Sequence, residues 1–360
     1  MTDFTTSPKH ILNDDLTPSN VICILSKLLE LAPETLHKAL RQSRSSQGYE
    51  RYVFPKGNGK DRVINAPALE LKQVQRSILD QLLSQISVTP FSHGFVPHRS
   101  IITNALVHAS SAHHVLNLDL QDAFPSVSEE RVLTVITWHV GRLLKLNAPQ
   151  LSAEERDIAC QAITRLVTRD GALPQGAPTS GYILNLVCAR LDRLVYAAAL
   201  RSRLPQIKYS RYADDLTITS SAPIPPEFIA QIKRAVIRSG FKVNPHKIHS
   251  HSDSQRAIVI CGVRLHNHTL ALPKSSIKRY RAILDEAAKM PAESLEQNER
   301  ARILGVLSYL RSIYPSPPRA LIKPLQRLIR SHSSWLEAPR QKTISRFTHY
   351  SYQGGAQDDV

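Results

Sequence analysis

Two runs of strand-forming residues, 207–212 and 216–220, are separated only by Ala213, Asp214 and Asp215. So short a connection predicts a hairpin, whose tight turn presents its side chains instead of burying them. Two adjacent carboxylates held there either repel each other or bind a cation. Because Asp is a common turn residue, the pair alone describes no more than a polar turn. A third carboxylate changes the reading. In HHVLNLDLQDAFPS, Leu116, Leu118 and Leu120 alternate with Val115, Asn117 and Asp119, the period of a strand, and Asp119 stands near its C-terminal end. Laid beside the hairpin, that strand lets Asp119 and Asp214 share two hard cations. Magnesium takes carboxylate oxygens and keeps positions for substrate phosphates, and a pair of such ions clamps the attacking and leaving oxygens of an in-line phosphoryl displacement. That is the chemistry of nucleotide addition.

Charge agrees with such a substrate. Lys and Arg total 46 against 30 Asp and Glu, a formal net charge of +16, so polyanions are the expected partners. Nucleic acid is favoured over a membrane surface, since no apolar run approaches the roughly 18–20 residues of a span. The start MTDFTTSPKH lacks the blocks of a signal peptide, which predicts a cytoplasmic protein. Cys23, Cys160, Cys188 and Cys261 are scattered, which excludes a disulfide framework and a structural zinc site. His246, His249 and His251 have no accompanying ligand cluster and read as a surface loop.

Along the chain, residues 17–42 carry Ile22, Leu25, Leu28, Leu29, Leu36 and Leu40 at helical spacing, with Thr17 and Pro18 as cap and first helical residue. RYVFPKGNGKDRVINAP predicts a hairpin turning at GNG, and a helix follows from about Leu69 to Ile86. Ser126 and Glu129 form a capping box ahead of an apolar stripe from Val132 to Leu143. A helix over 153–168 leads to the loop GALPQGAPTSG and one long helix through Ile183, Val187, Leu191 and Leu194. A helix at 226–239, short strands at 256–266 and 269–272, and a helical C-terminal third complete an α+β order.

YADD at 212–215, LDLQDAFPS at 118–126 and LPQGAPTSGYILN at 173–185, in that order and spacing, resemble the signature blocks of reverse transcriptases. The resemblance runs from about residue 52 to 335. It implies a right-hand polymerase: an N-terminal helical region at 1–50, fingers and an antiparallel-sheet palm over 51–270, a helical thumb over 271–336 and a flexible tail over 337–360. It further implies Asp119 and Asp214 as main ligands of two Mg2+ ions, for which Mn2+ substitutes, with Asp215 accessory. Phe124 falls where the family places the ring that excludes a 2′-hydroxyl. Asp122 and Ala123 fall where its main chain lines the triphosphate pocket, and Gln175 and Gly176 occupy the corresponding loop. Lys60 and Arg62 resemble its basic pair on the incoming triphosphate, and Lys247 its lysine near pyrophosphate.

Asn104, Ala105 and His108 form an NAxxH pattern that resembles a signature of retron reverse transcriptases. A second signature, VTG, is matched by Ile260, Cys261 and Gly262, which keep only the glycine. The resemblance implies a cognate structured RNA as partner, recognised through these two regions. It also implies a short DNA product primed from a 2′-hydroxyl, dNTPs as substrates, and a separate effector protein in antiphage defence. Arg319, Lys323, Arg327 and Arg330 give one basic helix face for a phosphate backbone. Other stand-alone defence reverse transcriptases, and a catalytically silent RNA-binding relative, are the alternative readings.

Overall fold

Pro18 leads into the first helix of the computed structural model, α1 (Ser19–Leu28), which buries Val21, Ile22 and Leu25. The structure describes residues 18–55, 61–110, 112–266, 269–291 and 294–336; Thr17, the GNG turn and the segment 337–360 lie outside them. Helix α2 (Pro33–Gln42) starts on a proline, whose missing N–H costs nothing in a first turn, and buries Leu36, Ala39 and Leu40. Strands β1 (Tyr49–Pro55) and β2 (Asp61–Pro67) pair antiparallel from Tyr49↔Pro67 to Pro55↔Asp61, as the sequence predicts. Helix α3 (Leu69–Gln81) ends earlier than expected, and residues 83–85 form a separate tight turn. Helix α4 (Ile101–Leu106) is capped by Ser100, whose hydroxyl accepts from the Ile102 and Thr103 N–H groups.

Strand β3 (His114–Asp119) precedes α5 (Glu129–Asn147). The cap of α5 is Ser128 and not the expected Ser126, whose hydroxyl is spent on the Ala123 carbonyl at 2.8 Å. Val132, Ile136, Val140 and Leu144 recur every four residues and are fully buried, each contributing roughly 1.5–3 kcal/mol against α6 (Ala153–Val167) and the core behind it. The long helix expected after residue 180 is bent at Cys188, where ψ relaxes to −5°, giving α7 (Ser180–Val187) and α8 (Ala189–Ser202).

Strands β4 (Lys208–Tyr212) and β5 (Asp215–Ser220), helix α9 (Pro226–Arg238) and strand β6 (His249–Ser252) follow. The central sheet is antiparallel in the order β4–β5–β3–β6. Strand β6 corrects the reading of His249 and His251 as loop residues: His-Ser-His-Ser has no apolar alternation, and its strand character comes from pairing with β3. The expected strand over 256–266 is instead a hairpin of β7 (Val259–Ile260) and β8 (Val263–His266), turning on Cys261 and Gly262 at φ +48° and +81°. Two positive φ values suit a two-residue hairpin, because that turn matches strand twist. Strand β9 (Thr269–Ala271) and helices α10 (Lys274–Ala287), α11 (Gln297–Ile313) and α12 (Arg319–Leu336) complete the described chain.

Two apolar clusters result. One joins the helices α1–α3 and α5–α9 to the face of β3 carrying Leu116 and Leu118. The other joins Val115, on the opposite face of β3, to the β7–β9 sheet and the C-terminal helices. The architecture is α+β, and among the described residues no helix is long and apolar enough to cross a membrane.

Candidate active site

The pairing of β3 with β5 sets Asp119 directly across from Asp215, so Asp215 begins a strand instead of sitting in the turn. Ala213 takes the corner at φ +55°, and the Leu120 N–H donates to the Asp214 carbonyl at 3.0 Å, drawing the turn onto the end of β3. Three carboxylates therefore share one end of the sheet, as the sequence predicts. The Asp119 carboxylate is almost fully buried and accepts from Lys247 Nζ at 2.8 Å and Asn244 Nδ2 at 3.3 Å. Asn244 also donates its backbone N–H to the Asp119 carbonyl at 2.8 Å. It was not legible as a site residue.

The electrostatics record a surplus of negative charge. Burial, then the charge of Asp119, raises the pKa of Asp214. Burial, then the charges of Asp214 and Asp119, pushes Asp215 up to about 7. Burial works against the charge of Lys247, but its hydrogen bond and ion pair with Asp119 outweigh that and hold it protonated. Among the described residues no group of three or more His, Cys, Asp and Glu side chains is preassembled around a metal, and Lys247 occupies one oxygen of Asp119. The donor set nevertheless fits a hard divalent cation: it is all carboxylate, and two members are held above their ordinary pKa by burial and then by the negative charge of their carboxylate neighbours, which a cation would offset.

Beneath the turn lies a buried polar network. Arg211 is fully buried; its Nε and Nη2 donate to the two carboxylate oxygens of Asp192 at 2.8 Å each. Its Nη1 donates to Asn185 Oδ1 and to the Ala213 carbonyl, both at 2.9 Å. Tyr209 adds its hydroxyl to Asp192 at 2.7 Å. Asn185 in turn donates to the Gly94 carbonyl at 2.7 Å, and a Cβ at Gly94 would lie 2.7 Å from the Ala213 nitrogen. The carboxylate-bearing turn is thus clamped from below by side chains of α7, α8 and the segment around Gly94. A charged residue inside an otherwise buried strand was the available signal for Arg211; nothing local announced Asp192.

The expected nucleotide-contacting residues divide. Arg62, exposed on β2, is close enough for its charge to lower the pKa of Asp214. Lys60 lies outside the described residues. Gln175 accepts the Asn65 N–H at its carbonyl (2.7 Å), and Gly176, at φ +123°, seats against Asn65 and Ile64, where a Cβ would come within 2.8 Å. The close approach that needs this glycine is made to the hairpin itself. Asp122 stands exposed at φ +46°, Ala123 is buried, and Phe124 is half-buried against the first core cluster.

Direct RNA contact by Asn104, His108 and Ile260 is corrected by their burial. Asn104 and His108 are fully enclosed: Asn104 Nδ2 donates to Cys261 Sγ at 3.5 Å, and the two ring nitrogens of His108 bond Thr219 at 2.8 Å and Ser210 at 2.7 Å. The NAxxH pattern is a strut between the β4–β5 strands and the Cys261 turn. Ile260 packs in the second cluster, leaving Cys261 half-buried and Gly262 exposed. Arg319, Lys323, Arg327 and Arg330 are all exposed, with Arg327 donating to Asp285 of α10 at 2.7 Å.

Burial, then the charges of His93 and Lys208, lowers the pKa of His108 to about 3. A depressed histidine stabilises the fold above its unfolded pKa near 6.5 and loses that contribution as pH falls toward 3. Between pH 6.5 and 5 the loss amounts to about 2 kcal/mol. In melting curves over that range, wild type should therefore fall more steeply than His108→Gln. Parallel curves would mean that His108 is protonated without cost.

The chain is an α+β fold that gathers three carboxylates from two adjoining antiparallel strands at one sheet end. Residues 54–306 match the reverse transcriptase (RNA-dependent DNA polymerase) family, and the chain belongs to that family. It is 30% identical over 315 residues to the retron Mx162 reverse transcriptase of Myxococcus xanthus, covering 80% of this chain and 62% of that one. To the retron Mx65 reverse transcriptase of the same organism it is 34% identical over 282 residues, 76% of this chain and 64% of that one. To the retron Ec86 reverse transcriptase of Escherichia coli it is 28% identical over 325 residues, 89% and 92% of the two chains. The chain spans less than two thirds of the length of both Myxococcus relatives. The solved structure of apo telomerase from Candida tropicalis aligns at a TM-score of 0.47 and 10% identity, over 80% of this chain and 59% of that one.

Proposed function

We propose that this chain is an RNA-directed DNA polymerase that copies part of a cognate structured RNA into a short single-stranded DNA. The product is primed from a 2′-hydroxyl and stays joined to the RNA, inside a cytoplasmic antiphage system with a separate effector. The observation that carries the reading is the meeting of Asp119, Asp214 and Asp215 at one sheet end beside Lys247. In this reading β1 and β2 belong to the fingers, the central sheet with its helices is the palm, and α10–α12 form the thumb.

Asp119 and Asp214 would hold two Mg2+ ions, with Asp215 accessory; when bound, these would lower the pKa of the attacking hydroxyl and offset charge developing on the leaving pyrophosphate. The protein's own part is positioning. Arg62, with Lys60, grips the triphosphate, and Lys247 faces the pyrophosphate side. The main chain at Asp122 and Ala123 lines the phosphate pocket, and Gln175 and Gly176 form its opposite wall. The Phe124 ring excludes a 2′-hydroxyl. The exposed Arg319, Lys323 and Arg330 follow an RNA or hybrid backbone, while the turn at Cys261 and Gly262 is the part of the second signature left open to RNA.

The test is to express the gene with its native upstream DNA, as wild type and as Asp214→Ala/Asp215→Ala, and to examine short nucleic acids before and after RNase and debranching. A discrete DNA present only with wild type, whose mobility shifts when attached RNA is removed, supports the full reading. Primer extension by wild type without that species would move the protein to another stand-alone defence class. Loss of RNA binding, with activity kept, in the double variant would overturn the catalytic assignment.

A further inference from the structure

Phe95 is an aromatic residue without a core to fill. It is 53% exposed, yet its backbone is held at φ +59°, a conformation that bulky side chains rarely adopt. The surrounding chain enforces it: the Gly94 carbonyl is fixed by Asn185, and the Gly94 backbone lies against the Ala213 nitrogen of the carboxylate turn. What the strained conformation achieves is the placement of one ring. That ring lies on Gly181 in the first turn of α7, where a Cβ would come within 2.2 Å of its Cγ. An alanine is the better helix former, so the glycine serves the ring and not the helix. From this seat Phe95 meets Phe124 edge-to-face, with centroids 6.2 Å apart and planes at 77°. That arrangement suits the quadrupoles of two aromatic rings and fixes their relative orientation.

We infer that Phe95 is a positioning residue for sugar selection: seated on Gly181, it holds the Phe124 ring in the attitude that excludes a 2′-hydroxyl. The inference rests on the gate reading of Phe124 and extends it to two residues outside the signature pair. Because the segment bearing Phe95 is bonded to the same Asn185 that meets Arg211, the gate and the carboxylate turn share one foundation.

The experiment is single-nucleotide extension of a DNA primer on an RNA template by the full chain, comparing kcat/KM for dTTP and UTP. Phe95→Ala removes the supporting ring; Gly181→Ala displaces it without touching Phe124 and keeps helical backbone. Phe95→Tyr preserves the edge-to-face contact, and Phe124→Ala reports on the gate itself. An edge-to-face pair is worth about a two- to tenfold factor, so Phe95→Ala and Gly181→Ala should each lower the dTTP-over-UTP preference by about that much. The change should appear as a lower KM for UTP, and Phe95→Tyr should restore the preference. A preference altered by Phe124→Ala but unmoved by Phe95→Ala and Gly181→Ala overturns the inference and leaves the gate standing. A preference unmoved by Phe124→Ala removes the gate reading and this inference with it.

Discussion

Asp214→Asn should reduce primer extension by at least about a thousandfold while raising the melting temperature of the metal-free protein at pH 8. Both effects follow from one geometry. Stabilisation of developing charge by a bound cation is worth several kcal/mol, and each 1.36 kcal/mol is a decade in rate, so the loss of one main ligand costs on the order of three decades. Without the cation, the same carboxylate is a liability, since burial and the charge of Asp119 already raise its pKa. The neighbouring Asp215, at about 7 in the folded protein, makes the sign explicit. A carboxyl whose folded pKa lies above its unfolded value near 3.9 favours folding when protonated and opposes it progressively as pH rises through 7. Magnesium added at pH 8 should therefore raise the wild-type melting temperature, and Asp214→Asn should blunt that rise. Full activity in Asp214→Asn, or a wild-type melting temperature indifferent to magnesium, would remove the carboxylates from the centre of the mechanism.

Arg211→Met should be the most damaging single substitution for stability among those considered. The guanidinium and the Asp192 carboxylate are both sealed from water, and removing one partner leaves the other charge buried. Breaking such a pair costs about 3–5 kcal/mol. For a chain of this length that lowers the melting temperature by about 4–7 °C. The double variant Arg211→Met/Asp192→Leu removes both charges together and should recover much of the loss. Activity separates the network's two roles. Arg211 also holds the Ala213 carbonyl, so the double variant should melt near wild type yet extend primers more slowly. If it regained full speed as well as stability, the network would be a core feature with no hold on the turn.

The carboxylate centre was legible because strands announce themselves by alternation, and Leu116, Leu118 and Leu120 alternate without a break. The β1–β2 hairpin and the Gln175 loop were legible through proline and glycine punctuation. What was not legible depends on partners distant in sequence. His249 to Ser252 becomes a strand only because β3 offers an edge, and no hydrophobic period marks it. Asn104 and His108 read as ligand-contacting polar groups, yet the fold encloses them: Ser210 and Thr219 take both ring nitrogens of His108, and Cys261 takes the Asn104 Nδ2, leaving the buried Asn104 Oδ1 without a partner among the described residues. Asp192 carries the same lesson: a lone acid on a helix gives no hint of its guanidinium until β4 folds against it.

The main-chain bond from Asn65 to Gln175, with Gly176 seated on the hairpin, has a consequence for how the two sides of the proposed pocket respond to change. The hairpin bearing Arg62 and the loop bearing Gln175 are tied together by that bond. In the proposed reading, Arg62 grips the triphosphate and Gln175 with Gly176 walls the pocket that holds it. Grip and wall are then not separately adjustable: a substitution that loosens the hairpin also loosens the wall, so triphosphate affinity and turnover should change together across hairpin variants.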